Sequence, residues 1–505
     1  MRGIGYWLSK REFLCGAKEA VVDGQRRLTY AGLNQRVNRL CGALAALGLK
    51  SGDRLGMLSY NCQEYVEVIM ATAKLGLILV PLNWRLTAAE LAFIISDSGT
   101  KALIFDPALE PLAQEIKAVV ALETLVVLGD RSALRAPAYE PLLDGQEPRE
   151  PPTDEGAQLD APHIIMYTAG TTGKPKGAVL SQGASLYNAL NLQLDMQFGP
   201  ADRDLLVLPM FHIGGIGLFT LPMLYVGGTV VIQRAFDPLE TMRLLEQEDI
   251  SLFFAVPAIF LMLIQHPQFR PEALRRARVV MCGGAPLPVS LVKQYHQAGI
   301  VLRQGFGMSE AAPSIATLGQ DQALAKAGSI GRPLFHMEAR ILDPLGEPLP
   351  AGQVGELAIR GPNLMQGYWN RPQATAEAFS GGWFHTGDLA RMDDEGDLFI
   401  VDRKKDMFIS GGENVYPAEV EDAIYELPAV AEAAVIGVAD AKWGEVGKAL
   451  VKLKPGLSLE PEQLLAHLAG RLAKYKIPKS VVFIEALPRN AAGKVLKNDL
   501  KSRYA

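Results

Sequence analysis

The sequence predicts an α/β protein of two domains: a large N-terminal domain of packed mixed sheets with helices, and a small α+β C-terminal domain. Three observations lead there. At 505 residues the chain exceeds what one hydrophobic core supports. Up to Glu310, β-like runs alternate with amphipathic helical patterns, and repeated β-α-β order implies a largely parallel sheet covered by helices. After about Asp402 the texture shifts to shorter elements over a stretch of about a hundred residues, an ordinary domain size.

The elements follow in order. Gly52–Ser59 (GDRLGMLS) reads as a strand leading into the amphipathic helix Gln63–Gly76. Leu77–Asn83 is a second strand, Thr87–Gly99 a polar-faced helix, and Lys101–Pro107 and Glu123–Asp130 further strands. A proline-rich, acidic link runs from about Pro137 to Pro162. Ala277–Pro288 gives strand, glycine turn and helix start, Val289–Gly299 the helix, and Ile300–Glu310 the next strand with its loop. Beyond that, Asp397–Pro417 reads as a hairpin around a charged turn. Helix Ala418–Leu427, strands Ala431–Val438 and Gly447–Lys454, helix Pro461–Tyr475 and strand Ser480–Leu487 complete the small domain.

Composition excludes several classes. Hydrophobic content of 49%, charged content of 21% and a net charge of −5 fit a globular protein and argue against a nucleic-acid binder, which carries a basic stripe. Cys15, Cys41, Cys62 and Cys282 lie far apart without CxxC spacing, and no HExxH occurs among the seven histidines. Neither structural zinc nor a disulfide framework is expected, and a cytoplasmic location fits. The N-terminus lacks the apolar core of a signal peptide. Leu205–Ile232 is apolar and long enough to cross a bilayer, yet Pro209, Gly214, Gly215, Gly217, Pro222, Gly227 and Gly228 break it. Buried strand, loop and helix is the expectation there, with no transmembrane segment.

The most informative stretch is Tyr167–Leu180, YTAGTTGKPKGAVL, which follows the apolar run His163–Met166. It lacks the spacing of a Walker A loop, but the physics is similar. Gly170, Gly173 and Gly177 let backbone N–H groups converge on an anion, Thr168, Thr171 and Thr172 add hydroxyls, and Lys174 and Lys176 add charge. Phosphate is the expected ligand. GFGMSE offers the plane of Phe306, the hydroxyl of Ser309 and the carboxylate of Glu310, an oxygen ligand that Mg²⁺ accepts while keeping phosphates and waters. In GWFHTGDLA, Asp388 follows Gly387 in a turn before an apolar strand, where a carboxylate accepts ribose hydroxyls or merely closes an Asx-turn. Both the phosphate loop and GFGMSE follow strands, so both point to one crevice beyond the carboxyl ends of the sheet. By composition alone Lys494, in LPRNAAGKVLK, is a solvated lysine.

Six strings in fixed order resemble the adenylate-forming superfamily of acyl-CoA synthetases, nonribosomal-peptide adenylation domains and beetle luciferases. They are YTAGTTGKPKG, LPMFHIGG, GFGMSE, GWFHTGDLA, DRKKDMFISGGENVYPAEVE and PRNAAGKVLK, and the likeness spans almost the whole chain. The resemblance implies an ATP-dependent acyl-CoA synthetase using ATP, Mg²⁺ and coenzyme A. A carboxylate attacks the α-phosphorus of ATP, pyrophosphate leaves, and a thiol then displaces AMP. It implies that the loop from Thr168 through Gly170, Thr171, Thr172, Gly173 and Lys174 to Lys176 holds the β- and γ-phosphates. Gly283, Gly284 and Ala285 would line the adenine slot, with Gln304, Gly305, Phe306 and Gly307 beside it and Phe306 stacking on the ring. Ser309 would contact the α-phosphate, Glu310 the Mg²⁺, and Asp388 with Arg403 the ribose. Lys494 would bridge the acid and the α-phosphate as catalytic lysine, with Glu310 and His212 the other catalytic candidates. Domains of 1–402 and 407–505 would turn about a hinge at 403–406 centred on Lys405, with Gly411 and Gly412 facing the pantetheine tunnel.

Two positions depart from the family pattern: Ala169 stands where a serine is usual, and Phe306 where a tyrosine is common. At most weaker ATP binding is expected. His212, where amino-acid-activating relatives carry an aspartate, directs the choice to acyl- and aryl-CoA ligases. Pocket walls are expected from His212, Gly214, Gly215, Val256, Phe260, Gly307 and Met308, apolar or small, which suits an aliphatic or aryl tail. A fatty acid is favoured, with a benzoate- or cinnamate-like acid as the alternative. A luciferase-like oxidation on the same scaffold is disfavoured, and a nucleotide-binding regulatory or membrane-associated protein without catalysis is argued against by intact Lys494, Glu310 and Asp388 and by the glycine-broken Leu205–Ile232 segment. A homodimer is allowed but not indicated.

Overall fold

Four sheets organise the computed structural model, which describes residues 2–152, 157–168, 175–489 and 495–504. The first has seven strands in the order Gly367–Tyr368, Lys176–Ser181, Pro162–Thr168, Ile78–Pro81, Arg54–Leu58, Thr100–Phe105 and Thr124–Val127. Its five strands from Pro162–Thr168 onward run parallel, and the first two pair antiparallel at the edge. The parallel members are nearly continuous apolar runs because helices cover both faces. Helix Gln63–Leu75 is buried on almost every side, and its charges are paired rather than solvated. Glu67 meets Arg36 at 2.7 Å and Lys74 meets Glu150 at 2.8 Å, as burial of charge requires. Helix Ala88–Ser98 opens on a capping box of Thr87 and Glu90 and closes at Gly99.

A second sheet of nine strands carries the crevice. Its central parallel strands are Leu302–Gly307, Val279–Cys282, Leu252–Ala255, Arg203–Leu206, Thr229–Ile232 and Glu19–Asp23, with antiparallel strands at both edges. Between Arg203–Leu206 and Thr229–Ile232 the apolar segment breaks into a π-helical turn, Gly214–Leu218, and a short helix, Thr220–Val226. Among the described residues no helix is long and apolar enough to cross a membrane.

The third sheet is antiparallel and includes Glu338–Leu342, Gly355–Arg360, Trp383–Met392 and Leu398–Arg403. Three readings are corrected here. Asp388 is not in a turn before a strand: Trp383–Met392 is one ten-residue strand, and the register against Gly355–Arg360 slips at a bulge around Gly387, whose φ of +71° suits glycine. Nor is Asp397–Pro417 a hairpin. Leu398–Arg403 pairs with Trp383–Met392, whereas Phe408–Ser410 joins the fourth sheet with Glu413–Val415 and Gly444–Leu453. The apolar side chains explain the parting: Leu398 belongs to the large core, Phe408 to a separate one with Val415, Val420 and Ile424. Helix Pro461–Ala469 stops at Gly470, short of the expected Tyr475. A final helix, Lys497–Tyr504, carries no sequence signal, because Leu500 is its one wholly buried side chain and no apolar period marks it.

Candidate active site

The carboxyl ends of three parallel strands bring the expected nucleotide residues together. Gly283 lies against Gly305 and the ring of Phe254, Gly284 beside Val256, and Gln304 is buried while Phe306, Gly307 and Met308 are partly open. Ala285 is likewise half-buried. A short 3-10 turn, Ser309–Ala311, then holds Glu310, which is only 7% exposed. Asn363 Nδ2 fixes that turn by donating to Ala311 O at 2.7 Å and Ser314 O at 2.8 Å.

The hairpin expected to bind phosphate reaches the same place from the other sheet. Strands Pro162–Thr168 and Lys176–Ser181 pair from Thr168↔Lys176 inward, and Thr168 Oγ1 donates to Lys176 O at 3.4 Å. Tyr167, at the stem, donates to Asp97 Oδ2 at 2.8 Å, and Arg371 pairs with the other oxygen at 2.6 Å. Gly170, Thr171, Thr172, Gly173 and Lys174 lie outside the described residues, as do Ala169 and Lys494. Tyr368 links the halves. Its hydroxyl donates to Glu310 Oε1 at 3.0 Å, and the Lys176 ammonium stands 5.3 Å from its ring centroid. Burial, reinforced by Glu310, pushes the Tyr368 phenol above its ordinary value, so it stays a donor. Sequence reasoning missed Tyr368; a lone tyrosine after glycine carries no signal of its own.

Asp388 and Arg403 face each other across adjacent strands, with Arg403 Nε 2.6 Å from Asp388 Oδ1. Asp388 is 2% exposed. The next residue inward from Arg403, Asp402, accepts from Arg403 N at 2.6 Å and from Ala418 N at 2.9 Å, tying the strand to the first turn of helix Pro417–Tyr425. Burial pushes the Asp402 carboxyl up to about 6 against the pull of Lys497. Burial alone would lower the Lys497 ammonium, but Glu421, at 2.8 Å, and Asp402 outweigh it and hold it high. Lys405 is exposed, and Gly411 and Gly412 form the exposed tip between Phe408–Ser410 and Glu413–Val415, with Gly411 N donating to Trp443 O at 2.8 Å.

The expected pocket segment is clamped by buried amides. Asn61 Nδ2 donates to Leu208 O and Gln233 O, and its Oδ1 accepts from Met210 N at 2.8 Å. His212 follows, half-buried, its ring 4.6 Å from that of Phe211. Gly214 and Gly215 open the π-helical turn. At Gly217 a Cβ would come 2.7 Å from Ala312 O and 2.8 Å from Pro313, so only glycine lets this turn touch the chain just after Glu310. Asn188 staples the contact, donating to Gly217 O at 2.6 Å and accepting from Ser314 N at 3.0 Å. Phe260 is wholly buried, its ring packed edge-on against Phe253 and Tyr295.

Among the described residues no cluster of three or more metal-ligating side chains occurs. One buried, oriented carboxylate is the donor set that suits Mg²⁺ when phosphates and water complete its shell. Residues 14–369 match the AMP-binding enzyme family, and residues 419–494 match the AMP-binding enzyme C-terminal domain. The chain belongs to this family. Over 503 residues it is 42% identical to a feruloyl-CoA synthase of an Amycolatopsis species, covering 100% of this chain and 99% of that one. It is 40% identical over 503 residues to an indoleacetate–CoA ligase of Aromatoleum aromaticum, covering 99% and 98%. It is 38% identical over 510 residues to the long-chain-fatty-acid–CoA ligase FadD13 of Mycobacterium tuberculosis, covering 100% and 99%. ATP-bound MatB from Rhodopseudomonas palustris superposes with a TM-score of 0.91 at 32% identity, covering 100% and 99%.

Proposed function

We propose that this AMP-binding enzyme is an aryl-acid CoA ligase acting on a cinnamate- or ferulate-like acid. The carrying observation is the end-to-end similarity to a feruloyl-CoA synthase at 42% identity, above that to the fatty-acid ligase at 38%. This reverses the preference for a fatty acid drawn from the apolar pocket residues, which fit a flat ring as well as a chain.

The reaction runs in two halves. A carboxylate oxygen of the acid attacks the α-phosphorus of ATP, the bond to the bridging oxygen breaks, and pyrophosphate leaves. Lys176 and the glycine-rich loop hold the β- and γ-phosphates, and Phe306 covers the adenine beside Gly283, Gly284 and Ala285. Asp388 accepts the ribose hydroxyls with Arg403 holding it in place, Ser309 contacts the α-phosphate, and Glu310 is the carboxylate for Mg²⁺. When bound, Mg²⁺ neutralises charge on the phosphate oxygens. Lys494 offsets the charge that builds between two approaching anions. In the second half the thiolate of coenzyme A attacks the acyl carbon and AMP departs, with Gly411 and Gly412 beside the thiol path. Residues 1–402 and 407–505 turn about Lys405 between the halves, because the lysine needed first would crowd the thiol.

Pyrophosphate release across ferulate, cinnamate, benzoate, decanoate and palmitate, with and without coenzyme A, tests the reading. Ferulate or cinnamate should give the highest kcat/KM, AMP should form only with coenzyme A present in thioester yield, and Lys494→Ala should abolish release. Higher kcat/KM with palmitate or decanoate would return the assignment to a fatty acid. No release with any acid would sink the ligase reading.

A further inference from the structure

The two halves of the triphosphate site come from different sheets: Lys176 from the seven-stranded sheet and Glu310 from the end of Leu302–Gly307 in the nine-stranded one. Tyr368 touches both. It sits on the two-residue edge strand that pairs with Lys176–Ser181, in register with Ala178. Its own N–H donates to Thr375 Oγ1 at 2.8 Å, and the neighbouring Trp369 N donates to Gly177 O at 2.7 Å, so the backbone beneath the ring is held on both sides. Three residues earlier, Met365 N donates to Glu310 O at 2.7 Å, anchoring the main chain of the carboxylate to the same segment.

We propose that Tyr368 is a positioning residue for the Mg²⁺–triphosphate end of the site: its hydroxyl orients the Glu310 carboxylate and its ring face seats the Lys176 ammonium. This rests on the ATP-dependent reading of the site. The two links are chemically separable. The hydroxyl at 3.0 Å from Oε1 fixes the carboxylate rotamer, as outer partners of metal ligands do. The ring face attracts the ammonium through its quadrupole and limits where Lys176 points. Because the links run to different sheets, one side chain sets the spacing between the cation's carboxylate and the phosphate-binding lysine.

Tyr368→Phe removes the first link and keeps the second, while Tyr368→Leu removes both. ATP binding to the full chain is measured by titration calorimetry over a series of Mg²⁺ concentrations, beside the Mg²⁺ dependence of pyrophosphate release. For Tyr368→Phe, the Mg²⁺ concentration giving half the enhancement of ATP binding should rise about tenfold, with ATP affinity in chelator unchanged and the KM for the acid unchanged. Tyr368→Leu should in addition lose about two- to fivefold of chelator ATP affinity. In a Glu310→Gln background, Tyr368→Phe should add no further Mg²⁺ effect, since the hydroxyl acts through that carboxylate. A Phe variant with the wild-type Mg²⁺ curve, additive losses with Glu310→Gln, or wild-type ATP binding indifferent to Mg²⁺ would each overturn the proposal. If the expected binding pattern holds but no acid is activated, the ligase reading fails and the role of Tyr368 stands.

Discussion

Asp388 offers the sharpest test of the nucleotide site. It is 2% exposed, lies in a bulged strand, and already accepts Arg403 Nε at 2.6 Å. In the proposed role this carboxylate would accept both ribose hydroxyls, and each bond to a charged acceptor is worth roughly 1.5–3 kcal/mol. Asp388→Ala should therefore weaken AMP binding by about 3–4 kcal/mol, roughly 200- to 1,000-fold, and lower kcat/KM for ATP by a similar factor. Asp388→Asn keeps the shape and one acceptor, so a loss of about tenfold is expected. The fold should survive, because the Arg403 side chain is 42% exposed and reaches water once its partner is gone. Calorimetric titration of AMP, which avoids turnover, gives the affinity, and a thermal melt checks the fold. An alanine variant that melts normally and binds AMP within about threefold of wild type would refute the ribose role and the geometry behind it.

Two further outcomes follow from packing and charge. Gly217→Ala would push a methyl against Ala312 O at 2.7 Å. Since that neighbour is backbone, a loss of about 1–3 kcal/mol and a lower melting midpoint are expected, with a raised KM for the acid because the pocket turn shifts; an unchanged melt would show that the contact yields freely. Asp402, pushed up to about 6 by burial from an ordinary 3.8, binds its proton more tightly folded than unfolded. Folding thus takes up a proton between about pH 4 and 6, and stability falls as pH rises through that window by at most about 3 kcal/mol. Asp402→Asn carries no titrating group, so its unfolding free energy relative to wild type, followed in urea at pH 4 and pH 8, should improve toward pH 8. The lost acceptor adds only a pH-independent offset, and a difference that does not change with pH would refute the assignment.

Much of the fold is legible where periodicity is strong. The parallel strands Arg54–Leu58, Thr100–Phe105 and Val279–Cys282 are short apolar runs between helices with visible caps, such as Thr87 with Glu90, and local chemistry alone specifies them. Failures cluster where a neighbour decides. The bulge at Gly387 exists only against the strand Gly355–Arg360, and the charged run after Arg403 turns away because Phe408 finds a different core from Leu398. That the Phe260 ring meets Phe253 and Tyr295 edge-on is likewise invisible in sequence, where it is one more apolar residue.

Read without coordinates, the chain already carries a family signature running nearly end to end, and with it the donor types proposed for phosphate and a hard cation: a loop of glycine, threonine and lysine, and a carboxylate at Glu310. These are statements about donor types and spacing, which survive without coordinates. Which groups meet is a property of the packed chain alone. Tyr368 lies 58 residues from Glu310 in the chain yet donates to it, and Asn188 joins Gly217 to Ser314 across 29 and 126 residues. A hydrogen bond is a contact of about 3 Å between atoms whose sequence separation leaves no periodic trace, so such partners become visible only when two sheets are packed against each other.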